Sequence, residues 1–238
     1  MSSTQLSKVT SGTVSCIIPV YNGERFLAEA IDSVLAQTHP VAEIIVVDDG
    51  STDGTRSIVE NYAASSNARV HYLWQENSKR PATARNRGIQ AASGEFITFL
   101  DADDLWHPER IKRHLDHFGA NPDLRISVSY IQNFLMGEVS APSDGGDSDT
   151  LTQPKPAYVL TTMMARRDVF EEIGLLNASL RFTDSAEWFL RVREAKLPLD
   201  LLPDVLVYRR LHGKNRSLTY ANESRMEALR MLKTRIQK

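Results

Sequence analysis

Glu95-Phe96-Ile97-Thr98-Phe99-Leu100-Asp101-Ala102-Asp103-Asp104 decides how the rest of this chain is read. Its apolar part is short and bounded by Gly94, which predicts a strand buried on both faces. Three carboxylates then follow within four residues. Acids within a buried strand would be costly to desolvate, so they belong at its exposed C-terminal lip. Open α/β sheets place their ligands at that lip. Asp101 and Asp103 fall on one side of an extended backbone, an arrangement suited to a hard divalent cation that also grips phosphate oxygens. The plainer alternative is an acidic turn opening the next helix, with Asp104 as cap and Pro108 in its first turn. The surrounding chain decides between them.

Working outward, Val14–Ile18 reads as a β run stopped by Pro19, and Glu43–Val47 as a second buried strand ending at Asp48-Asp49-Gly50-Ser51. Between them a helix capped by Asn22 carries Phe26, Leu27, Ala30, Ile31, Val34 and Leu35 on one face. Thr52-Asp53 caps another helix, with Ile58, Val59, Tyr62 and Ala63 inward, and Arg69–Trp74 is a third strand. A short helix, Ala82–Ala92, leads into the acidic strand. This alternation predicts a mostly parallel sheet with helices on both faces and polar strand ends along one edge. Beyond it the pattern predicts a helix over Pro108–Phe118 and a strand over Arg125–Ile131. Strands over Tyr158–Ala165, Leu199–Leu202 and Val205–Leu211 follow, with helices over Arg167–Ile173 and Asp184–Ala195. The last helix, Asn222–Lys238, has Met226, Leu229, Leu232 and Ile236 on one side. Its cations Arg225, Arg230, Lys233, Arg235 and Lys238 suit either a membrane-surface or partner-docking helix, or a stripe packed on the body with a solvated basic face.

A chain of 238 residues can enclose one substantial α/β core. A net charge of −2 gives no global attraction to nucleic acid or to an anionic surface. Cys16 is the single cysteine, which excludes an intrachain disulfide and a cysteine-built zinc site and suits a reducing compartment. The polar segment 1–12 reads as a disordered leader, not a secretory signal, and no apolar run approaches the ~20 residues that span a bilayer. A cytoplasmic protein is expected, with peripheral attachment at the inner face of a membrane left open.

Three acidic points now stand together: Asp48-Asp49, Asp101-Asp103, and Asp184 opening a later helix. An ionised carboxylate is acceptor-only and suits ribose hydroxyls or a base N–H. Lys79-Arg80 and Arg85-Asn86-Arg87 flank a helix start that favours anions, or they are ordinary surface cations.

The runs Ser15-Cys16-Ile17-Ile18-Pro19-Val20-Tyr21-Asn22 and Ile45-Val46-Val47-Asp48-Asp49-Gly50-Ser51-Thr52-Asp53 closely resemble family 2 glycosyltransferases. Ala84-Arg85-Asn86-Arg87-Gly88 and Phe99-Leu100-Asp101-Ala102-Asp103-Asp104 continue the match in order and spacing. The resemblance implies a GT-A fold, with a Rossmann-like half for a sugar nucleotide and a variable half for the acceptor, and inversion by direct displacement. Residues 13–135 would form the nucleotide-sugar half, 136–157 a flexible loop and 158–221 the acceptor half. The helix 222–238 would close one structural domain.

Carried over, the resemblance puts Pro19, Tyr21 and Asp48 or Asp49 in the base and ribose pocket, and Arg85 on the base or diphosphate. Asp101 and Ala102 would contact ribose, and Asp103 would hold Mg²⁺ or Mn²⁺. The family's base motif, E-D-x-[DE], is disturbed in Thr183-Asp184-Ser185-Ala186-Glu187-Trp188. Counting back from Trp188 and Arg191 puts the base at Ser185. Asp184, at a helix N-terminus whose dipole favours its ionised form, is the expected base, with Glu187 as rival. Tyr208–Ser217 resembles the late loop that closes over the diphosphate, making His212 a candidate metal or phosphate ligand.

The expected partners are a nucleoside-diphosphate sugar, by default a UDP-sugar, and an acceptor glycan, lipid-linked saccharide or small molecule. No nucleic acid is expected, and a homo-oligomer is left open. Two rivals stand beside this reading. One is a sugar-nucleotide-binding subunit of polysaccharide assembly that has lost catalysis. The other is a nucleotidyltransferase, for which Pro19-Val20-Tyr21-Asn22 lacks the Gly-rich basic loop that meets a triphosphate.

Overall fold

Four runs in the first hundred residues form parallel strands, three of them covered on both faces and the edge strand, the third in sequence, half exposed. β1 (Val14–Val20), β2 (Glu43–Asp48), β3 (Arg69–Trp74) and β4 (Phe96–Phe99) lie in the order β3-β2-β1-β4. Side chains alternate along a strand, so Cys16, Ile18, Ile44, Val46 and Phe96 share one core layer. Ile17, Ile45, Val47, Ile97 and Phe99 line the other. The computed structural model describes residues 12–65, 69–78, 80–136, 152–213 and 215–236.

The first layer is closed by α1 (Leu27–Leu35), α2 (Thr55–Ser65) and α4 (Arg110–Ala120), through Ile31, Val59, Ile111 and Phe118. The second is closed by α3 (Pro81–Ala91), α5 (Val169–Glu172) and α6 (Asp184–Glu194), through Ala84, Phe170, Trp188 and Val192. Helix α3 packs closely because Gly88 faces Ile17; a Cβ at Gly88 would lie 2.4 Å from an Ile17 methyl. The sheet continues past β4 through β8 (Met163–Arg166), β6 (Ile126–Leu135), β9 (Leu199–Leu211) and β5 (Leu105–Trp106). A short β7 (Lys155–Pro156) pairs with β6. Strand β8 runs antiparallel to both β4 and β6. With Val20 opposite Asp48 and Ile17 opposite Phe99, the C-terminal ends of β1, β2 and β4 meet at one edge.

The observed elements depart from expectation in instructive places. The first helix opens at Leu27, not at Asn22. Asn22 instead adopts a left-handed φ of 51° and its Oδ1 accepts the Thr52 amide, tying two strand-end loops together. Leu35 is turned outward. The strand expected over Tyr158–Ala165 begins only at Met163, after a 3₁₀ turn over Leu160–Thr162. The two short strands expected around Pro203 form one long β9, because the register shifts from Ser129 opposite Leu202 to Tyr130 opposite Val205. That bulge takes up Pro203, which lacks a ladder donor. Gly12, assigned to the leader, is buried beside the Phe96 ring. Residues 1–11, Lys79, Lys238 and most of the expected flexible loop, 137–151, lie outside the described residues.

Two further helices, α7 (Arg216–Thr219) and α8 (Ala221–Ile236), end the fold. Helix α8 reverses the packed-stripe alternative: Met226, Leu229 and Leu232 face outward.

Candidate active site

The edge where β1, β2 and β4 end is organised by tight turns. Gly50 sits at φ 79°, a backbone that L side chains rarely adopt. The turn it permits lets Asp48 Oδ1 accept the Ser51 amide at 2.8 Å while Oδ2 accepts the Tyr72 hydroxyl at 2.6 Å. Asp49 Oδ1 accepts from Gln75 Nε2 at 2.7 Å and from the Ser78 amide and hydroxyl, each at 2.9 Å. Both carboxylates are buried: that of Asp48 ties the Gly50 turn to β3, and that of Asp49 shapes the loop over residues 75–78. Pro19 is half-buried in β1, while Tyr21 stands 54% exposed at its end. Ala102 is half-buried beside Gly23.

Arg85, on α3, joins two distant acids. Its guanidinium donates to Asp101 Oδ1 at 2.7 Å and to Asp184 Oδ2 at 3.2 Å. Asp101 follows β4 and Asp184 opens α6, so one half-buried side chain links the end of β4 to the start of α6. Burial opposes the charge on Arg85, but the two carboxylates outweigh it and hold its pKa above the ordinary value. Its Nε, also buried, has no hydrogen-bond partner among the described residues. Two other cations of that sequence cluster serve the fold: Arg80 donates to the carbonyls of Ala178 and Ser179, and Arg87 to that of Trp74. Asn86 exchanges two hydrogen bonds with the Leu176 backbone.

Asp103 and Asp104 turn toward the end of β9. His212 Nε2 lies 3.0 Å from Asp103 Oδ2, and Asn215 Nδ2 donates to the same oxygen at 3.2 Å. Asp104 Oδ1 accepts the Arg210 amide at 3.0 Å. Burial and then the charge on Asp101 push the Asp103 carboxyl up, with His212 opposing. Asp104 is pushed well above the ordinary carboxylate range by burial, then by Asp103 and Asp101. Burial, with the neighbouring carboxylates adding to it, disfavours the charged form of both acids at this corner. One carboxylate oxygen and one imidazole nitrogen at 3.0 Å fit a divalent cation. The protein offers two donors, since no group of three His, Cys, Asp or Glu side chains among the described residues could hold a metal.

The two candidate bases part company. Asp184 is joined to the cluster through Arg85, whereas Glu187 is bound by Arg191 at 3.1 Å and by Arg235 of α8 at 3.0 Å. Ser185 Oγ accepts the Leu160 amide at 3.2 Å. The entry to α6 is clamped by Glu227 of α8. Its carboxylate accepts the backbone amides of Arg181, Phe182 and Thr183 and the Thr183 hydroxyl, at 2.8–2.9 Å. Sequence reasoning missed Glu227, because its partners lie more than forty residues away. It also missed Arg210, Asn215 and Arg216. Arg216 donates to the Arg181 carbonyl at 2.9 Å, and its pKa is lowered by burial and then by Arg181 and Arg85. Their only signal was membership of the late-loop run.

A family model described as "Glycosyl transferase family 2" matches residues 15–174. A glycosyltransferase of Nostoc sp. without an assigned role is 43% identical over 220 residues, 88% of this chain and 68% of its own length. A Bacillus subtilis protein assigned provisionally to teichuronic acid biosynthesis, glycosyltransferase TuaG, is 40% identical over 131 residues. That match covers 55% of this chain, which spans half the length of TuaG. Among solved structures, S. aureus TarS 1–349 in complex with UDP-GlcNAc aligns with a TM-score of 0.68 at 22% identity. The alignment covers 87% of this chain and 61% of that one. The Pyrobaculum calidifontis mannosyltransferase PcManGT, with GDP-Man and Mn²⁺, aligns with a TM-score of 0.73 at 18% identity. It covers 95% and 65% of the two chains. These structural likenesses establish an α/β fold of the GT-A kind, and with the family model and the Nostoc relative the chain belongs to glycosyltransferase family 2.

Proposed function

We propose that this protein transfers a glycosyl group from a nucleoside-diphosphate sugar, by default a UDP-sugar, to an acceptor hydroxyl with inversion. The observation that carries the reading is Arg85 bonded to Asp101 on one side and Asp184 on the other. It sets the carboxylate that follows β4 and a candidate base around one cation, which supports a site where donor and acceptor are held side by side.

The turn at Gly50 and the loop it orders would receive the base and ribose, with Pro19, Tyr21, Asp48, Asp49, Asp101 and Ala102 around them. Asp103 and His212 would hold Mg²⁺ or Mn²⁺, which when bound offsets negative charge on the departing diphosphate. Arg85 would add positive charge beside that diphosphate. Arg85 ties down Oδ2 of Asp184, leaving Oδ1 to accept the proton of the acceptor hydroxyl. The acceptor oxygen then bonds to the anomeric carbon as the bond to the diphosphate breaks.

The test is donor turnover by the purified chain with a panel of nucleoside-diphosphate sugars, with and without Mn²⁺, together with thermal shift. Asp184→Asn should retain the donor-induced thermal shift and lose transfer, whereas Asp103→Ala should lose both. Equal turnover by Asp184→Asn and the parent would overturn the assignment of the base.

A further inference from the structure

Helix α8 is mounted with its polar side inward. Glu227 grips the amides of residues 181–183, and Arg235 reaches Glu187 and Glu194. Ser224, Ala228 and Met231 lie on that same half-buried side. The opposite side presents Met226, Leu229 and Leu232, which are 50%, 56% and 44% exposed. Helical geometry spreads these three over an arc of about 120°. Arg225 and Lys233 fall within that arc and Arg230 just beside it, all exposed. Of the helix's two acids, Glu227 turns inward and Glu223 sits at the far margin.

Turning charged side chains inward while three large apolar ones face water runs against the hydrophobic effect unless something covers the outer face. The interleaved cations select what covers it. An apolar protein surface would have to desolvate Arg225, Arg230 and Lys233 without compensation. An anionic interface pairs with them, and their long stems let the charges reach headgroup phosphates while the apolar side chains enter the acyl boundary.

We propose that the outer face of α8 is an interfacial docking surface for an anionic phospholipid bilayer. The helix lies in the plane of the interface. No helix among the described residues is long and apolar enough to cross a membrane. Because its inner face holds the entry to α6, docking places Asp184 on the membrane-proximal side of the molecule. The surface does not depend on which sugar is transferred.

Co-sedimentation of the full chain with phosphatidylglycerol–phosphatidylcholine vesicles tests this against pure phosphatidylcholine vesicles. Binding is expected to require phosphatidylglycerol and to weaken as salt rises. Replacing Arg225, Arg230 and Lys233 by Gln should lower partitioning about fivefold per cation. The triple change Met226→Gln, Leu229→Gln and Leu232→Gln should also release the protein, with circular dichroism and nucleoside-diphosphate binding unchanged. Failure to bind, or equal binding to both vesicle types, would overturn the proposal. So would a concentration-dependent dimer that the triple Gln change dissolves, which would give this face to a second copy. Nucleotide binding is read in the same preparations, so failure of the sugar-transfer reading leaves the vesicle result interpretable.

Discussion

The edge formed by β1, β2 and β4 and the entry to α6 are held in different ways. At the first, Asp48 and Asp49 stand at the end of the buried parallel strand β2, and their partners come from the next strand and the adjoining turns: Ser51, Tyr72, Gln75 and Ser78. At the second, Asp184 opens a helix whose approach is fixed by Glu227, forty-four residues away, and by Arg85, ninety-nine away. The strand-end edge is thus built into the sheet, and the entry to α6 is clamped onto it. A clamp is a separable device. Mutations in it should misalign chemistry while sparing ligand capture, whereas mutations at the sheet edge should remove both.

The sharpest break in that comparison is Asp103→Ala. It removes a carboxylate from the acidic corner, and transfer should fall on the order of 10³-fold together with the Mn²⁺-dependent part of donor binding. Steady-state kinetics and calorimetric titration of a nucleoside diphosphate would check both losses.

Arg85→Met strikes the joint itself. It leaves Asp184, buried, and Asp101, partly exposed, without their shared cation. Breaking a buried pair is strongly destabilising, and discounting for the exposure of Asp101 leaves a loss of about 2 kcal/mol in urea unfolding. A variant as stable as the parent would show that the joint contributes nothing to the fold.

Glu227→Gln should have a smaller and more selective effect. The neutral amide still accepts some of the three backbone N–H groups, but more weakly than a carboxylate, for a loss of about 1–2 kcal/mol. Turnover should fall more than donor affinity, because Asp184 stands one residue beyond the clamped Thr183. Equal losses in both would mean that the clamp serves the whole fold rather than the entry to α6.

The smallest effect is expected at Glu43, which accepts from Ser15 Oγ at 2.6 Å and from the Ser93 amide and hydroxyl, each at 2.7 Å. Burial pushes its carboxyl up, but these hydrogen bonds outweigh it and hold the pKa below the ordinary value. The folded state therefore prefers the ionised form. That stability is complete above the unfolded value of about 4.3 and is lost as pH falls through the lower folded one. Glu43→Gln should cost about 1 kcal/mol near neutral pH and less below about pH 4. Urea melts at the two pH values would show the gap narrow.

Much of the sheet was legible because β1, β2 and β4 are contiguous apolar runs, the latter two ended by acids, and a strand buried on both faces cannot hide that composition. The same locality exposed Asp48, Asp49, Asp101 and Asp103. The second half resisted for identifiable reasons. Pro203 reads locally as a strand break, yet a bulge against Ser129 and Tyr130 absorbs it. Asp184, Ser185 and Glu187 compete for one role within a single helical turn, and no spacing rule ranks them. Their tertiary partners separate them: Arg85 for Asp184, Arg191 and Arg235 for Glu187, and the Leu160 amide for Ser185.

By itself the amino-acid order determined a doubly covered sheet with acids at one lip, because hydrophobic period and strand-end chemistry are local properties. Only the folded chain decided which carboxylates share Arg85 and which face of the last helix turns outward. Both depend on contacts between residues tens of positions apart, and on a helix orientation set by Glu227 and Arg235 rather than by its apolar stripe.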